Sequence, residues 1–490
     1  MKKRFVGKRA LALLLTVAIG CLCLVGCQSD SNGDGDIAKV VWYIPDLIQG
    51  NMVDEVMQEV NTILKDRYGM ELELYGPGRE GFATQMQLMN SSREEYDLAF
   101  TSNWTNNYFT GISNGVFADI TDLLPEHAPK LYESIEDYVW ESISSDGRIY
   151  AVPNWQVMAR STGLAIPTSK LEKTGFKIED INIMDDLTEY LKAINALEPN
   201  TNRIQNNMWA TLASTYDILA LIDNTIPGSI YVSKEGKPVV FNQFESEEYA
   251  EYVKNRRLWV TEGYAFNAYA PDYDGSLKER QEVPFSIVNY KPGIEADLER
   301  NLGYDMTVKQ FSPGILSTTG ITSAMTGVSS TSKNPVNAVK MLEIMNTDRD
   351  ILNLLCWGIE GKNYEKVSEN RISPIKDSGY TNISNWILGS QKNSFVSGTQ
   401  SDTVWEETEE FNNNGLVSPV LGFNFNADNV GVEITNCQAV VDENIEFLEL
   451  GLVDEESYKS FVDKLKKAGA DTIIKELQKQ VDEWWAANKK

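Results

Sequence analysis

Aromatic rings stand next to amide or charged side chains at several points of this sequence. A ring can stack on the C–H face of a sugar, while neighbouring amides and carboxylates hydrogen-bond the hydroxyl groups. The pattern therefore predicts a site that binds a polyol. The residues that carry the pattern are Asn103 with Trp104, Trp155 with Gln156, Asn289 with Tyr290, Trp357 with Glu360, Trp42 with Tyr43, Trp386 in "NWILG", and the charged pair Arg79 and Glu80 in "YGPGREGF".

Each of these rings could instead pack inside the protein. Trp357 follows the apolar run "NLLC", which favours the core, and the context of Trp386 is compatible with either role. Asn103, Trp104 and Trp155 are the strongest candidates for ligand contact, because each follows a predicted strand in a polar loop. The asparagines beside Trp104 could also serve only to satisfy turns.

The sequence argues against most kinds of catalysis. His127 is its only histidine, which disfavours histidine-based metal sites and a Ser-His-Asp triad. The segment "GIEGKN" lacks the spacing and the hydroxyl residue of a phosphate-binding loop. We therefore predict no enzyme activity, no cofactor and no metal. A glycosidase with a pair of carboxylates stays open, because the chain has 71 acidic residues and nothing singles out a pair.

Length and charge limit the architecture and the partners. A chain of 490 residues exceeds what a single core usually holds, so at least two domains are expected. The formal net charge of −27 disfavours association with nucleic acid or with anionic lipid through the overall field.

The elements that position the candidate residues follow an α/β pattern. "KVVWYIP", "MELELY" and "YDLAF" are predicted strands, and the segments between them have helical spacing of apolar residues, so the chain opens β-α-β-α-β. In a parallel sheet of this kind ligands bind beyond the carboxyl ends of the strands. The loop "TSNWTNNYF" follows the third strand and would therefore lie at a ligand site.

Later segments predict a second unit joined to the first by crossing strands. Ile149 to Val152 is a predicted strand that Pro153 interrupts, which suits a crossover between two lobes. Helical segments dominate from Ile183 to about Asp274, and "VPFSIVNYKPG" is a strand that ends in polar and aromatic residues. Asn334-Pro335 starts a helix, and the apolar stripe from Ile473 to Trp485 predicts a packed C-terminal helix.

The N-terminus resembles a bacterial lipoprotein signal. A basic "MKKRFVGKR" precedes the apolar "ALALLLTVAIGCLCLV" and the lipobox "LVGC", which implies cleavage before Cys27 and lipidation of its sulfur. The polar "QSDSNGDGD" that follows predicts a flexible tether.

Cys356 and Cys437 are distant in sequence and could pair, but the apolar surroundings of Cys356 favour buried thiols.

Three internal segments together resemble the extracellular solute-binding proteins of ABC transporters, in the group that includes the maltose-binding type. They are "YDLAFTSNW", "DGRIYAVP" with "GLAIPTSKLEKTG", and the long stretch that begins "GITSAMTGVSSTSKNPVNAVK". The tail segments "LGFNFNADNVGVEITN" and "DKLKKAGADTIIKELQKQVDEWW" resemble the DUF3502 type of C-terminal domain. The resemblance covers nearly the whole chain after the predicted signal.

The resemblance implies a two-lobed, periplasmic-binding-protein-like α/β fold with a hinge and a ligand cleft between the lobes. The implied division is a signal peptide with lipobox over 1–26, a tether over 27–36, lobe 1 over 37–153 plus about 314–372, and lobe 2 over 154–313 plus about 373–490, which includes the DUF3502-like region. The implied partners are a small-molecule ligand, the permease subunits of an ABC transporter and the outer face of a bacterial membrane, reached through Cys27. We expect a monomer.

The ligand class has a rival on the same fold. A peptide or amino-acid receptor would need a basic group for the ligand carboxylate and an acidic group for its ammonium. Arg79, Arg148 and Arg160 are possible carboxylate partners, and the sequence does not say which of them lies in the cleft.

Overall fold

The computed structural model describes residues 37–199, 208–265 and 283–488. The predicted signal peptide, the tether and the lipidation site at Cys27 lie outside the described residues.

Fifteen strands belong to the described part of the chain. They are β1 Ala38–Tyr43, β2 Met70–Tyr75, β3 Leu98–Thr101, β4 Ala151–Pro153, β5 Ala159–Pro167, β6 Ile218–Ala220, β7 Ser229–Tyr231, β8 Ser286–Tyr290, β9 Met306–Gln310, β10 Ile315–Leu316, β11 Met325–Val328, β12 Tyr364–Lys366, β13 Arg371–Pro374, β14 Val396–Ser397 and β15 Leu416–Val417.

The α-helices of the same residues range from one turn to five turns. They are α1 Val53–Tyr68, α2 Arg79–Ser92, α3 Tyr108–Ser113, α4 Leu123–His127, α5 Pro129–Glu133, α6 Asp137–Ile143, α7 Thr168–Thr174, α8 Asp185–Leu197, α9 Trp209–Leu212, α10 Glu247–Thr261, α11 Ile294–Leu302, α12 Thr318–Ile321, α13 Pro335–Thr347, α14 Arg349–Trp357, α15 Asn385–Leu388, α16 Val404–Asn413, α17 Gly431–Glu449, α18 Glu455–Ala468 and α19 Ala470–Asn488.

The first sheet has the strand order β2-β1-β3-β11-β4. β1 pairs in parallel with β2 and β3, which confirms the predicted β-α-β-α-β start. β11 arrives from much later in the sequence and pairs antiparallel with β3 and β4. The helical spacing that predicted α1 is also confirmed, because Val56, Val60 and Leu64 face the core.

A second sheet, with the order β15-β10-β5-β8 and β9 also on β5, follows the crossover. Pro153 ends β4, and the chain then enters β5, which pairs antiparallel with β8, β9 and β10. Through β10 and α12 the chain returns to β11 of the first sheet. The two sheets are therefore joined by segments that run in both directions, as a hinge between lobes requires.

Two hydrophobic cores lie in the two parts. The first takes buried side chains between Val40 and Met158 and between Leu316 and Leu388. The second takes them between Leu164 and Ile287 and between Val430 and Ile473. We propose that these cores are the centres of lobe 1 and lobe 2, and the exact boundaries stay predictions.

The C-terminal helices α17, α18 and α19 pack on one another and on the second core. Ile473, Leu477 and Val481 form the buried stripe of α19, as the sequence predicted. Leu477 and Val481 also form a small separate cluster with Ile230 of β7 and with Phe423. The C-terminal region is thus built into the second part rather than appended to it.

Cys356 and Cys437 are both buried and free, so the expectation of two thiols is confirmed. Burial raises the pKa of Cys437 to about 11, with a smaller contribution from Glu433. Neither thiol is set up as a nucleophile, because a reactive thiol needs a lowered pKa. No helix of the described ranges is long and apolar enough to cross a membrane.

Asn412 of α16 forms hydrogen bonds to the crossover segment between β4 and β5. Its side-chain Oδ1 accepts hydrogen bonds from the backbone N–H groups of Met158 (2.7 Å) and Ala159 (3.1 Å), and its Nδ2 donates to the carbonyl of Gln156 (2.7 Å). All of these groups are buried, so their partners in the protein cannot be replaced freely by water.

We expect Asn412→Ala to lower the free energy of unfolding by about 2 kcal/mol, because it leaves two buried N–H groups without an acceptor. Urea titration followed by circular dichroism measures this loss. Asn413→Ala is the matched control, since Asn413 is exposed at the end of the same helix. If the two variants are equally stable, the hydrogen bonds of Asn412 do not stabilise the folded protein.

Asp348 links α1 to the start of α14. Its Oδ1 accepts from the backbone N–H groups of Asp350 (3.0 Å) and Ile351 (3.2 Å), and its Oδ2 accepts from Tyr68 (2.7 Å) and Arg67 (2.9 Å). Burial alone would raise the pKa of this carboxyl. The hydrogen bonds from Tyr68, Ile351 and Arg67 outweigh that effect and hold the pKa below its usual value.

We expect Asp348→Asn to destabilise the protein by about 2 kcal/mol at pH 7. A carboxyl whose pKa is lowered by folding stabilises the protein above its unfolded value of about 3.9 and loses that contribution as the pH falls through the folded value. The difference in stability between wild type and variant should therefore shrink below about pH 4. Urea titrations between pH 3 and 7 measure it, and a difference that does not change with pH would contradict the assignment.

Candidate functional site

A cavity of about 340 Å³ lies between the two parts of the protein. Asn103 and Trp104 line it from the side of the first sheet, and Asn289 at the end of β8 lines it from the second. Residues of the crossing strands β5 and β10 also line it. The remaining lining residues are Arg160, Ser161, Ala210, Thr211, Ala213, Ser214, Ile218, Leu219, Ala220, Ile222, Asp223, Asn224, Ile315, Ser317 and Thr319.

The loop after β3 is held in one conformation by its own polar residues. Ser102 Oγ accepts hydrogen bonds from the backbone N–H groups of Trp104 (3.2 Å) and Thr105 (3.0 Å). Asn106 donates to the carbonyl of Phe100 (2.9 Å), and Asn107 caps α3 through Thr110. The turn-forming role of these two asparagines is therefore confirmed, while the side chain of Asn103 is exposed towards the cavity.

Trp104 presents a fixed ring to the cavity. Its indole Nε1 donates to the carbonyl of Ser323 (2.8 Å), and its ring centroid lies 5.7 Å from Phe100 and 6.4 Å from Trp386. The side chain is still 47% exposed, which leaves part of the ring free. A positioned ring with an accessible face is the arrangement that stacking on a sugar requires.

The ring of Trp386 and the guanidinium of Arg79 lie next to the ring of Trp104. The guanidinium of Arg79, at the start of α2, lies 5.8 Å from the ring of Trp386 and 6.0 Å from that of Trp104. Asn154 fixes the segment that carries Trp386, because its Nδ2 donates to the carbonyls of Trp386 (2.9 Å) and Ile387 (2.7 Å). The structure thus brings together three residues that the sequence placed far apart.

A second cavity of about 390 Å³ lies beside Trp386. Trp357 and Trp386 line it from the first part, and Lys291, Asp297 and Arg300 line it from the second. Asp297 forms ion pairs with Lys291 and, at 2.8 Å, with Arg300, so these charges are compensated within the protein. Trp104 lines the first cavity and Trp386 lines the second, and their ring centroids lie 6.4 Å apart.

Tyr290 of the second sheet and Trp155 and Gln156 of the crossover are less exposed than Trp104. Tyr290 is partly buried against Phe411, with ring centroids 5.9 Å apart. Trp155 is partly exposed, and the ammonium of Lys392 lies 4.6 Å from its ring centroid. Gln156 is buried and donates to Ser323 Oγ (2.9 Å), so its amide positions the segment that also accepts from Trp104.

The two candidate residues of β1, Trp42 and Tyr43, are less accessible to a ligand than Trp104 is. Trp42 is completely buried in the first core, so its ring has no surface to offer and we remove it from the proposed site. Tyr43 lies on the other face of the strand and stacks on Tyr75 at 5.0 Å. The alternation of side chains along a strand explains the different environments of these neighbours.

Three further residues have peripheral positions. Glu80 is exposed beside Arg79 at the start of α2, and Glu360 is exposed in the turn after α14. Trp357 is partly buried and donates through Nε1 to Ser394 Oγ (3.3 Å), although its ring still lines the second cavity.

Sequence reasoning missed the contribution of the segment 210–224. Thr211, Ser214, Asp223 and Asn224 line the first cavity, yet they lie in a stretch predicted as mainly helical. The short hairpin of β6 and β7 interrupts that stretch and brings it to the cleft. Three-residue strands carry too little periodicity to be recognised in advance.

Two cores, crossing strands and an intervening cavity are the arrangement that the resemblance to the solute-binding proteins of ABC transporters implied. Comparisons with known proteins confirm this resemblance. Residues 419–486 match the DUF3502 family, a domain of unknown function. The chain is 27% identical to a carbohydrate ABC transporter substrate-binding protein of Streptococcus pneumoniae serotype 4 (strain ATCC BAA-334 / TIGR4), over 99% of this chain and 98% of the relative.

Solved structures of solute-binding proteins superpose on most of the chain. The N-glycan transport solute binding protein NgtS of Streptococcus pneumoniae is 25% identical, with a TM-score of 0.78 over 92% of this chain and 100% of the other. An extracellular solute-binding protein from Bifidobacterium longum subsp. infantis is 16% identical, with a TM-score of 0.61 over 91% and 98%, and shares the fold. The predicted fold class is therefore confirmed.

Proposed function

We propose that this chain is an extracellular receptor that binds an oligosaccharide in the cleft between its lobes and delivers it to the permease of an ABC transporter. The observation that carries the proposal is the fixed, half-exposed ring of Trp104 in the cavity that also contains Asn103 and Asn289. Ring faces and amides are the groups that recognise the two kinds of surface on a sugar.

The similar proteins support the same ligand class. The relative that aligns over 98% of its length is named a carbohydrate ABC transporter substrate-binding protein, and NgtS is described in complex with Man1GlcNAc and with Man5GlcNAc. They are binding proteins, so the proposal includes no catalytic step. A cleft with several rings in two adjoining cavities suits a ligand of more than one sugar unit.

The proposal includes attachment to the outer face of the cell membrane through lipid on Cys27, and function as a monomer. A tether of about ten polar residues would let the receptor stay close to a permease without restricting its rotation.

The experiment that tests the function is thermal unfolding of the protein, produced without its predicted signal peptide, against a panel of oligosaccharides, monosaccharides, amino acids and short peptides. A ligand that binds only the native state raises the unfolding midpoint, and the shift grows with ligand concentration relative to the dissociation constant. We expect shifts with oligosaccharides. If only peptides raise the midpoint, the protein is a peptide receptor with the same fold and not a sugar receptor.

A further inference from the structure

Arg160 is a cation that lines the proposed ligand cavity. It is the second residue of β5, opposite Ile315 of β10 in the strand register, and its side chain lines the cavity that contains Asn103, Trp104 and Asn289. Pairing of β5 with β10 holds its backbone where the two parts of the molecule join.

No side chain or carbonyl of the described residues forms a hydrogen bond or ion pair with the Arg160 guanidinium. Four other arginines of the described residues each contact a carboxylate, namely Arg67, Arg148, Arg300 and Arg371. Burial without a nearby negative charge lowers the pKa of Arg160. The side chain is partly buried, so the structure maintains a positive charge at the cavity that no carboxylate of the described residues compensates.

A guanidinium has five N–H donors and no acceptor, and its planar fork matches the two oxygens of a carboxylate. Charge-assisted pairs of this geometry are the strongest hydrogen bonds available to a side chain. The net charge of −27 repels an anion at long range, so any preference for an anionic ligand has to come from a local contact of this kind.

We propose that Arg160 binds the carboxylate of an acidic sugar unit, so that the receptor prefers oligosaccharides that contain a sialic acid or a uronic acid. This inference rests on the proposed function. The other cations at the cleft fit the assignment: Lys291 and Arg300 are already paired with Asp297, and Arg79 faces the rings of Trp104 and Trp386.

Asp223 is the acidic residue of the same cavity. Its Oδ1 accepts from the backbone N–H (2.9 Å) and the hydroxyl (2.7 Å) of Thr225, which holds the carboxylate in the loop before β7. It can accept from a sugar hydroxyl in the same ligand. It could also bind the ammonium of a peptide whose carboxylate contacts Arg160, and the experiment is designed to separate these two ligands.

The test is isothermal titration calorimetry with matched probes. They are a neutral biantennary N-glycan, its sialylated form, the methyl ester of the sialylated form, a uronate oligosaccharide, and an acidic tripeptide. We expect the sialylated or the uronate probe to bind about 10- to 100-fold more tightly than its neutral counterpart, as a charge-assisted pair predicts. Arg160→Gln should remove that preference, and Arg160→Lys should retain part of it.

Stability provides a second readout. Because Arg160→Gln removes a partly buried charge without a compensating carboxylate, the unfolding midpoint of the ligand-free variant should not fall below that of the wild type. Arg148→Gln is the matched control, since it removes one positive charge from an exposed site outside the cavity, where the contact with Asp119 is 3.6 Å. It should leave the acidic preference unchanged.

The outcomes are distinguishable. Equal affinity for acidic probes and their neutral counterparts overturns the role of Arg160 and leaves the oligosaccharide receptor standing. Failure of both acidic probes to bind also overturns the inference. Binding of the tripeptide alone, with no glycan bound, overturns the proposed function together with it.

Discussion

Trp104→Ala is expected to lower the affinity for the bound oligosaccharide by about 30-fold or more, because central aromatic contacts at binding sites contribute about 2 kcal/mol or more. The ring is held at Ser323 and against Phe100 before any ligand arrives, so its stacking surface is preorganised. Calorimetric titration of the variant with the best ligand of the panel measures the loss.

Two further variants make this result specific. Trp104→Phe keeps a ring but loses the hydrogen bond to Ser323, so it should recover part of the affinity. Trp484→Ala removes a partly exposed tryptophan of α19 that packs on Phe423, away from both cleft cavities, and should bind as the wild type does. Wild-type affinity in Trp104→Ala would place the ligand elsewhere.

Glu449→Ala is expected to destabilise the protein by about 3–5 kcal/mol, the usual cost of removing one partner from a buried charged network. Glu449 ends α17 and is only 2% exposed. Its carboxylate accepts from the backbone N–H of Met208 (3.0 Å) and from the hydroxyl of Tyr252, and its backbone carbonyl accepts from Arg256. Urea titration measures the change in unfolding free energy.

Glu443→Ala on the same helix is the control. Glu443 is largely exposed, and its contact with Lys464 is 3.7 Å, so the loss there should not exceed about 1 kcal/mol. If Glu449→Ala lowers the free energy of unfolding by a similarly small amount, the buried network around Glu449 contributes little to stability.

This network also connects the DUF3502 region to the ligand cavity. Met208 precedes α9, and the residues that follow it, from Ala210 to Ser214, line the cavity. The ring of Trp209 packs on Tyr249 (4.8 Å) and on Tyr252 (5.4 Å), next to the buried carboxylate. In Glu449→Ala we therefore expect weaker ligand binding even at temperatures where the variant is fully folded.

The sequence by itself determined the class of fold and the presence and type of several elements. Apolar residues at a spacing of three or four identified α1 and α19, and alternating or continuous apolar runs identified β1, β2 and β3. These patterns are local, since burying one face of a helix or strand needs only residues within that element. The loop after β3 was likewise placed at the cleft, because parallel strands direct their carboxyl ends to one edge.

Only the tertiary structure decided which aromatic residues are accessible and which charges are paired. Trp42 and Trp104 both neighbour polar or aromatic residues in the sequence, yet one is buried in the core and the other lines the cavity. Arg67 and Arg160 differ because Asp348, which lies 281 positions from Arg67 in the sequence, pairs only with the first. Burial and pairing depend on residues more than a hundred positions apart, which no local pattern can encode.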